Sequence, residues 1–224
     1  MGFSEEEVEI AIRNTGLKAT GIDGLSAKLL KSPSLRAMII TKLSRTFTEW
    51  SNINHFPPYM KKAKIICLSK EATALPSAGQ VRTIAVLPVV SKVFEKLLLS
   101  KLKEEIIAKG GHNKYQRGFQ AGLSTLTNID ELAKLMLEAK EFALQERRRH
   151  PKDLSKRTVN YVTFIDFRRA FDAVNRTTLV KALEGKNFHK SLVGNIKSFL
   201  SDTAGVVNGR EINTHIGVPQ GAVL

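Results

Sequence analysis

Residues 161–172 read YVTFIDFRRAFD, and this stretch decides the fold more than any other part of the chain. The β-branched and aromatic residues of Thr158–Phe167 predict a strand. Asp166 stands at the C-terminal end of that strand, where a sheet delivers a side chain to a surface cleft. A carboxylate there needs a cation or a hydrogen-bonding partner, because Asp is seldom buried alone. Taken alone, Asp166 and Asp172 are each better explained as a helix N-cap than as a metal ligand.

The patterns on either side of this stretch predict an α+β fold. Ser4 and Glu7 form a capping box, and helices are predicted from Ser4, Ser26 and Ser34 and over 89–107, 126–145, 176–183 and 190–200. Short β-prone runs at 64–68 and 82–86 predict a hairpin-like pair, and Asn208-Gly209 predicts a second hairpin over 206–212. Helices come first and mixed elements follow, which favours α+β.

The composition is that of a basic globular protein. The chain has 224 residues, a net charge of +14, 42% hydrophobic and 25% charged residues, which excludes a wholly disordered chain. One cysteine, Cys67, excludes an intrachain disulfide framework and a zinc site built on several cysteines. The longest apolar stretch, 84–90, is too short to cross a bilayer, and the acidic N-terminus does not resemble a secretion signal. We therefore expect a soluble intracellular protein, cytoplasmic, nuclear or both, with no membrane partner and with a polyanion such as nucleic acid as its partner.

The positive charge is densest at residues 147–157, which read RRRHPKDLSKR. Between a predicted helix and a predicted strand, this segment is expected to be an exposed basic loop. A merely solvated loop and a phosphate-binding loop are equally compatible with the pattern, because clustered like charges repel one another unless an anion is present. The basic residues concerned are Arg147, Arg148, Arg149, Lys152, Lys156 and Arg157.

Five short motifs follow one another along the chain. They are GIDG at 21–24 with LLK at 29–31; AKIICLSK at 63–70 with VRTIAVLP at 81–88 and KVFEK at 92–96; QRGFQAGLST at 116–125; residues 164–174; and GVPQG at 217–221. In this order they resemble the reverse transcriptase family, and more narrowly the enzymes of non-LTR (LINE-like) retrotransposons. The resemblance extends over about residues 21–224.

The resemblance implies a right-hand polymerase fold with fingers and the first part of a palm, and without a thumb. Residues 1–157 would be the N-terminal extension and fingers, and residues 158–224 the partial palm. The implied activity is RNA-directed DNA polymerisation, in which dNTPs are added to a primer 3′ end by a two-metal mechanism. The implied partners are an RNA template, a DNA primer and dNTP.

The resemblance also implies roles for individual residues. Asp166 would be catalytic, and its carboxylate together with the backbone carbonyl of Phe167 would ligate two Mg²⁺ ions. The nucleotide-binding residues would be Lys70, Arg82, Phe171 and Gln220. Template or primer contacts would come from Arg117, Gly118, Phe119, Gly217, Pro219 and Gly221.

One feature of the family has no counterpart in this sequence. The family carries an Asp-Asp pair on a hairpin after the GVPQG loop, and no Asp-Asp pair occurs in these 224 residues. We therefore expect a fragment that does not polymerise by itself, with the remainder of the palm and the thumb in a parent chain. The alternatives are a non-catalytic RNA-binding protein derived from a reverse transcriptase and an intron maturase.

Overall fold

The computed structural model describes residues 1–17, 20–69, 81–151 and 161–223 and has the predicted α+β fold. Seven α-helices and four strands lie within these residues, together with a short 3₁₀ helix at Pro58–Lys61. The helices are α1 (Glu5–Arg13), α2 (Ala27–Leu30), α3 (Arg36–Asn52), α4 (Val89–Ala108), α5 (Thr125–Arg149), α6 (Arg176–Gly185) and α7 (Lys190–Leu200). The strands are β1 (Lys62–Ser69), β2 (Val81–Val86), β3 (Thr203–Val207) and β4 (Arg210–Thr214).

The first helices begin largely where their capping residues predict. The Ser4 hydroxyl accepts a hydrogen bond from the Glu7 N–H, and the Glu7 carboxylate accepts one from the Ser4 N–H at 2.8 Å, which completes the capping box. Ser26 caps α2 by a single hydrogen bond, which its hydroxyl accepts from the Lys28 N–H at 3.2 Å. The prediction for α3 is wrong by two residues, because the Leu35 N–H donates to the Ser32 carbonyl and closes a turn before the helix begins.

The four strands form one mixed sheet in the order β2-β1-β3-β4. Strands β1 and β2 are antiparallel, as predicted, and β1 also pairs in parallel with β3. The hairpin of β3 and β4 is confirmed, and Asn208 and Gly209 at its tip have φ angles of 49° and 78°. Both angles are positive, as a type I′ turn requires, and Asn-Gly adopts such angles at low cost.

The core is built from aromatic side chains that are distant in sequence. The ring of Phe94 on α4 lies 5.1 Å from Phe47, 5.2 Å from Phe56 and 5.8 Å from Trp50 (centroid distances). Phe56 in turn makes an edge contact with Phe199 of α7 at 5.3 Å. Each aromatic contact adds about 0.5–1.5 kcal/mol to the energy of area burial, so this cluster fixes α3, α4 and α7 against one another.

The prediction of a strand over Thr158–Phe167 is wrong for residues 161–167, which have no regular secondary structure. Residues 158–160 lie outside the described part of the chain. A strand exists only if its N–H and C=O groups pair with a neighbour, and no described strand pairs with 161–167. Its aromatic side chains are correspondingly exposed, with Tyr161 at 87% and Phe164 at 85%.

The chain divides into two compact units. The first comprises Met1–Lys109 and Arg169–Leu224, and the second comprises Gly110–Arg168. The predicted boundary between 157 and 158 lies outside the described residues, so that division stays a prediction.

The predicted basic loop at 147–157 is partly helical. In the second unit, Arg147–Arg149 form the last turn of α5, so the prediction of a loop is wrong for these three residues. Their cationic side chains suit the negative end of the helix dipole. Lys152, Lys156 and Arg157 lie outside the described residues.

No helix among the described residues is long and apolar enough to cross a membrane.

Candidate functional site

The Gly217–Gly221 loop belongs to the first unit and is held there by main-chain hydrogen bonds. The Gly217 N–H donates to the Val174 carbonyl at 2.9 Å, and the Val218 N–H donates to the Phe171 carbonyl at 3.0 Å. On the other side, the Ala85 N–H donates to the Gln220 carbonyl at 2.7 Å. Because β2 is an edge strand of the sheet, its outward N–H groups are available for this contact. The loop therefore joins the 171–174 turn to the sheet edge.

Glycine is required at both ends of this loop by close contacts with the chain's own backbone. Gly217 has a φ of 79°, and a Cβ there would lie 2.8 Å from the Asp172 carbonyl oxygen. Gly221 has a φ of 99°, and its Cβ would lie 3.0 Å from the Ala85 carbonyl oxygen. Both the positive φ and the lack of space exclude a side chain. Template contact by these two glycines stays a prediction.

Arg176, which the sequence analysis did not single out, joins the loop to the β3–β4 hairpin and to α7. Its Nε donates to the Gly217 carbonyl at 2.7 Å, and its Nη1 donates to the carbonyls of Leu200 at 2.6 Å and Thr214 at 2.8 Å. Its Nη2 lies within 3.4 Å of the Ile216 carbonyl and 3.3 Å of the Thr214 hydroxyl. Burial lowers the pKa of Arg176, although a guanidinium keeps its charge in any protein.

Asn175, the residue before Arg176, caps α6, because its side-chain oxygen accepts a hydrogen bond from the Thr178 N–H. The prediction that Asp172 caps this helix is therefore wrong.

Glu95 of α4 fixes the chain just beyond the loop. Its side chain is fully buried, and one of its oxygens accepts a hydrogen bond from the Val223 N–H at 2.7 Å. The other oxygen lies 3.5 Å from the Ser91 hydroxyl. A buried carboxylate is tolerated only where hydrogen bonds replace its hydration, which these donors supply. The QGAVL stretch gives no sequence signal for this contact, because its partner lies 128 positions away.

A cavity of about 380 Å³ lies between the loop and the sheet, within the first unit. The residues that line it include Lys61, Asp172, Arg176 and Gln220. Burial lowers the pKa of Lys61, whose ammonium donates to the carbonyls of Ser198 and Ser201 at 2.8 and 3.0 Å. Lys61 and Arg176 thus donate their hydrogen bonds to carbonyl groups of the fold. Within the described part of the chain, the Gln220 side chain makes no hydrogen bond, and Gln220 lines the cavity.

Three of the four predicted nucleotide-binding residues lie in the described part of the chain, and the fourth does not. Phe171, Gln220 and Arg82 all belong to the first unit, where Phe171 is 41% exposed and Arg82 is exposed on β2. Lys70 lies outside the described residues. The loop contacts bring the backbones of Phe171 and Gln220 to the same part of the unit. Their predicted roles toward a nucleotide remain predictions.

Asp166 and Phe167 belong to the second unit, where both are exposed. Among the described residues, no group of three or more His, Cys, Asp and Glu side chains is placed to hold a metal ion. Two magnesium ions need several anionic oxygen ligands, because the charges of the ions repel each other. Asp166 and the Phe167 carbonyl do not meet this requirement, so the residues described here do not form the two-ion site that the resemblance implies.

The QRGF segment of the second unit is held against α5. The Arg117 guanidinium pairs with the Glu131 carboxylate at 2.8 Å, and the Gln116 amide donates to the Gly118 carbonyl at 3.0 Å. Phe119 is 90% exposed and has a φ of 61°. The Arg117–Glu131 pair gives this loop a fixed position on the helix. Contact of Arg117, Gly118, Phe119 or Pro219 with a template or primer stays a prediction.

The ordered motifs resemble those of a nucleic-acid polymerase domain, and a simple basic binding module would not need them. The chain belongs to the reverse transcriptase family, since residues 61–224 match the family described as "Reverse transcriptase (RNA-dependent DNA polymerase)". Members of this family are nucleotidyltransferases and are generally metal-dependent.

The relatives are enzymes of mobile elements of the non-LTR type. The chain is 29% identical to a probable RNA-directed DNA polymerase from transposon BS and 28% identical to that from transposon X-element, both of Drosophila melanogaster. It is 26% identical to the RNA-directed DNA polymerase from mobile element jockey of the same species. Each match covers 98% of this chain and 23% of the relative, so the chain spans about a quarter of the length of these proteins.

Proposed function

We propose that this chain forms the fingers and the first part of the palm of an RNA-directed DNA polymerase from a non-LTR-type retroelement. In the complete protein it acts on an RNA template, a DNA primer and dNTPs, and it extends the primer 3′ end. The observation that carries the proposal is the attachment of the GVPQG loop to the Phe171–Val174 turn and to β2. This attachment gathers Gln220, Phe171 and the strand of Arg82 in one unit.

The chemistry of these side chains suits a nucleotide. The Arg82 guanidinium offers a planar set of donors to phosphate oxygens. The exposed part of the Phe171 ring provides an apolar surface for a sugar, and the Gln220 amide can donate to and accept from a base pair. The net charge of +14 favours the polyanionic template and primer. An intracellular location, cytoplasmic, nuclear or both, is part of the same proposal.

The proposal includes magnesium as the metal and Asp166 as one of its ligands. The other anionic ligands would come from elsewhere in the complete protein, because the described residues contain no group of three or more His, Cys, Asp and Glu side chains placed to hold a metal ion. Carboxylate oxygen is the ligand type that Mg²⁺ prefers, and a neutral amide binds it weakly.

Primer extension by the complete protein tests the proposal. The protein that contains this chain is supplied with an RNA template, an annealed DNA primer and dNTPs, and elongated product is measured with and without Mg²⁺. Asp166→Asn is compared with Asp130→Asn, an exposed Asp of α5 in the same unit. We expect Asp166→Asn to abolish synthesis while RNA binding persists, since binding depends on Lys and Arg contacts with phosphate.

Asp130→Asn serves as the matched control and is expected to retain synthesis. A wild-type protein that binds RNA without extending any primer would refute the polymerase proposal and favour a non-catalytic RNA-binding protein. Normal synthesis by Asp166→Asn would refute the metal-ligand role of Asp166 alone.

A further inference from the structure

The GVPQG loop and the residues directly after it are held within the first unit at three points. The Gly217 carbonyl accepts from Arg176 Nε at 2.7 Å, the Gln220 carbonyl accepts from the Ala85 N–H at 2.7 Å, and the Val223 N–H donates to Glu95 Oε2 at 2.7 Å. The first and last attachments use charged side chains from two different helices, α6 and α4. Charge-assisted hydrogen bonds are roughly twice as strong as neutral ones.

Arg176 makes five hydrogen bonds, all of them to oxygens of the protein itself. A guanidinium has five N–H donors in a rigid plane, so this set occupies its full donor capacity. The acceptors belong to the loop, to residues 214–216 and to the end of α7. A lysine ammonium is a point charge with three donors and cannot satisfy this planar arrangement. Arg176 therefore has no donor left for a ligand and acts through the loop it holds.

Glu95 has the complementary arrangement on the other side of the loop. Its fully buried carboxylate accepts from the Val223 N–H, and Val223 lies three positions after Gln220. Nothing about this contact requires a nucleotide, because donor and acceptor are both part of the protein. Replacing the carboxylate by an amide keeps an oxygen acceptor but removes the negative charge that strengthens the bond.

We propose that Arg176 and Glu95 are positioning residues, which together fix the place of Gln220 relative to the template base and the incoming nucleotide. The inference rests on the proposed function and goes beyond it, because it assigns nucleotide selection partly to two residues that touch no substrate. A loop displaced by a fraction of an ångström would affect a correct pair and a mismatched pair differently, because only the correct pair fits the fixed geometry.

The test is incorporation of correct and mispaired dNTPs by the complete protein, with rates normalised to active sites by a burst measurement. Arg176→Lys and Glu95→Gln are compared with wild type and with Arg45→Lys, an exposed arginine of α3. We expect kcat/KM for the correct dNTP to fall about 10- to 100-fold in both variants, the effect of a small misplacement of reacting groups. The ratio of correct to mispaired incorporation should fall, while the primer–template Kd and the Arg45→Lys rates stay at wild-type values.

A purely structural role would reduce the active fraction without moving the ratio of correct to mispaired incorporation. Unchanged ratios in both variants, with a wild-type protein that polymerises, would overturn this inference and leave the proposed function intact. If Arg176→Lys does not fold, the milder Glu95→Gln variant decides by the same ratio. A wild-type protein that extends no primer refutes the proposed function, and this inference fails with it.

Discussion

Replacement of Gly217 by alanine tests the claim that the loop's glycines are required by the protein's own backbone. Gly217 has a φ of 79°, a conformation that costs an L-residue about 1–2 kcal/mol. In addition, its Cβ would lie 2.8 Å from the Asp172 carbonyl oxygen and 2.9 Å from the Asp172 Cα. Optimal non-bonded separations are about 3.5–4.0 Å, and inserting an extra methyl into packed structure costs about 1–3 kcal/mol. The sum predicts a loss of about 2–5 kcal/mol in the free energy of unfolding.

Gly209 provides a matched control for this substitution. It has almost the same φ, 78°, and nothing lies within 4 Å of its Cβ position. Gly209→Ala should therefore lose only the conformational part, about 1–2 kcal/mol. The difference between the two variants isolates the steric clash with Asp172.

Urea unfolding monitored by tryptophan fluorescence measures both variants. Trp50 is the chain's single tryptophan, and its ring contacts Phe47 and Phe94 in the core of the first unit. Its emission therefore reports unfolding of the unit that contains both glycines. Equal destabilisation by Gly217→Ala and Gly209→Ala would refute the argument that the loop is packed against the Asp172 backbone.

Three further changes test other parts of the structure. Glu7→Gln keeps the capping box but breaks the ion pair with Lys101. Burial alone would raise the pKa of the Glu7 carboxyl, but Lys101 and the Ser4 N–H outweigh burial and lower that pKa. The stability difference from wild type should therefore be present above the ordinary pKa of 4.5 and vanish as the pH falls through the lowered value, which urea unfolding at pH 7 and at acid pH measures. Phe94→Ala removes the ring at the centre of the aromatic cluster and should lower the free energy of unfolding, measured by the same assay, by about 3–5 kcal/mol. A smaller loss than that of Gly209→Ala would contradict the assignment of Phe94 to the core. Replacement of Arg147–Arg149 by glutamines should weaken RNA binding and make the association constant less dependent on salt. The negative slope of log K against log salt should shrink in magnitude by up to about 2, at about 0.7 per phosphate contact. An unchanged slope would show that these arginines contact no phosphate.

Much of the local structure could be predicted from the sequence, because the interactions that form it lie within a few residues of one another. The capping box at Ser4, the N-cap at Ser26, the helix pattern of α4 and the Asn208-Gly209 turn each specify their own conformation, and the structure has them all. The α+β class follows from the order of such elements along the chain. The motifs that indicate a reverse transcriptase are likewise contiguous, and the family match over residues 61–224 confirms that prediction.

The tertiary structure decided whatever depends on a partner far away in the chain. Residues 161–167 have the composition of a strand, yet a strand needs a neighbour to pair with, and the described residues provide none. The role of Arg176 depends on carbonyls 24 to 41 positions away, and that of Glu95 on an N–H 128 positions away. Gly217 reads in the sequence as an ordinary turn glycine, and only the packing of the loop against Asp172 gives it a second reason to lack a side chain. Periodicity and capping describe neighbours along the chain, whereas these contacts come from the collapse of distant segments onto a common core.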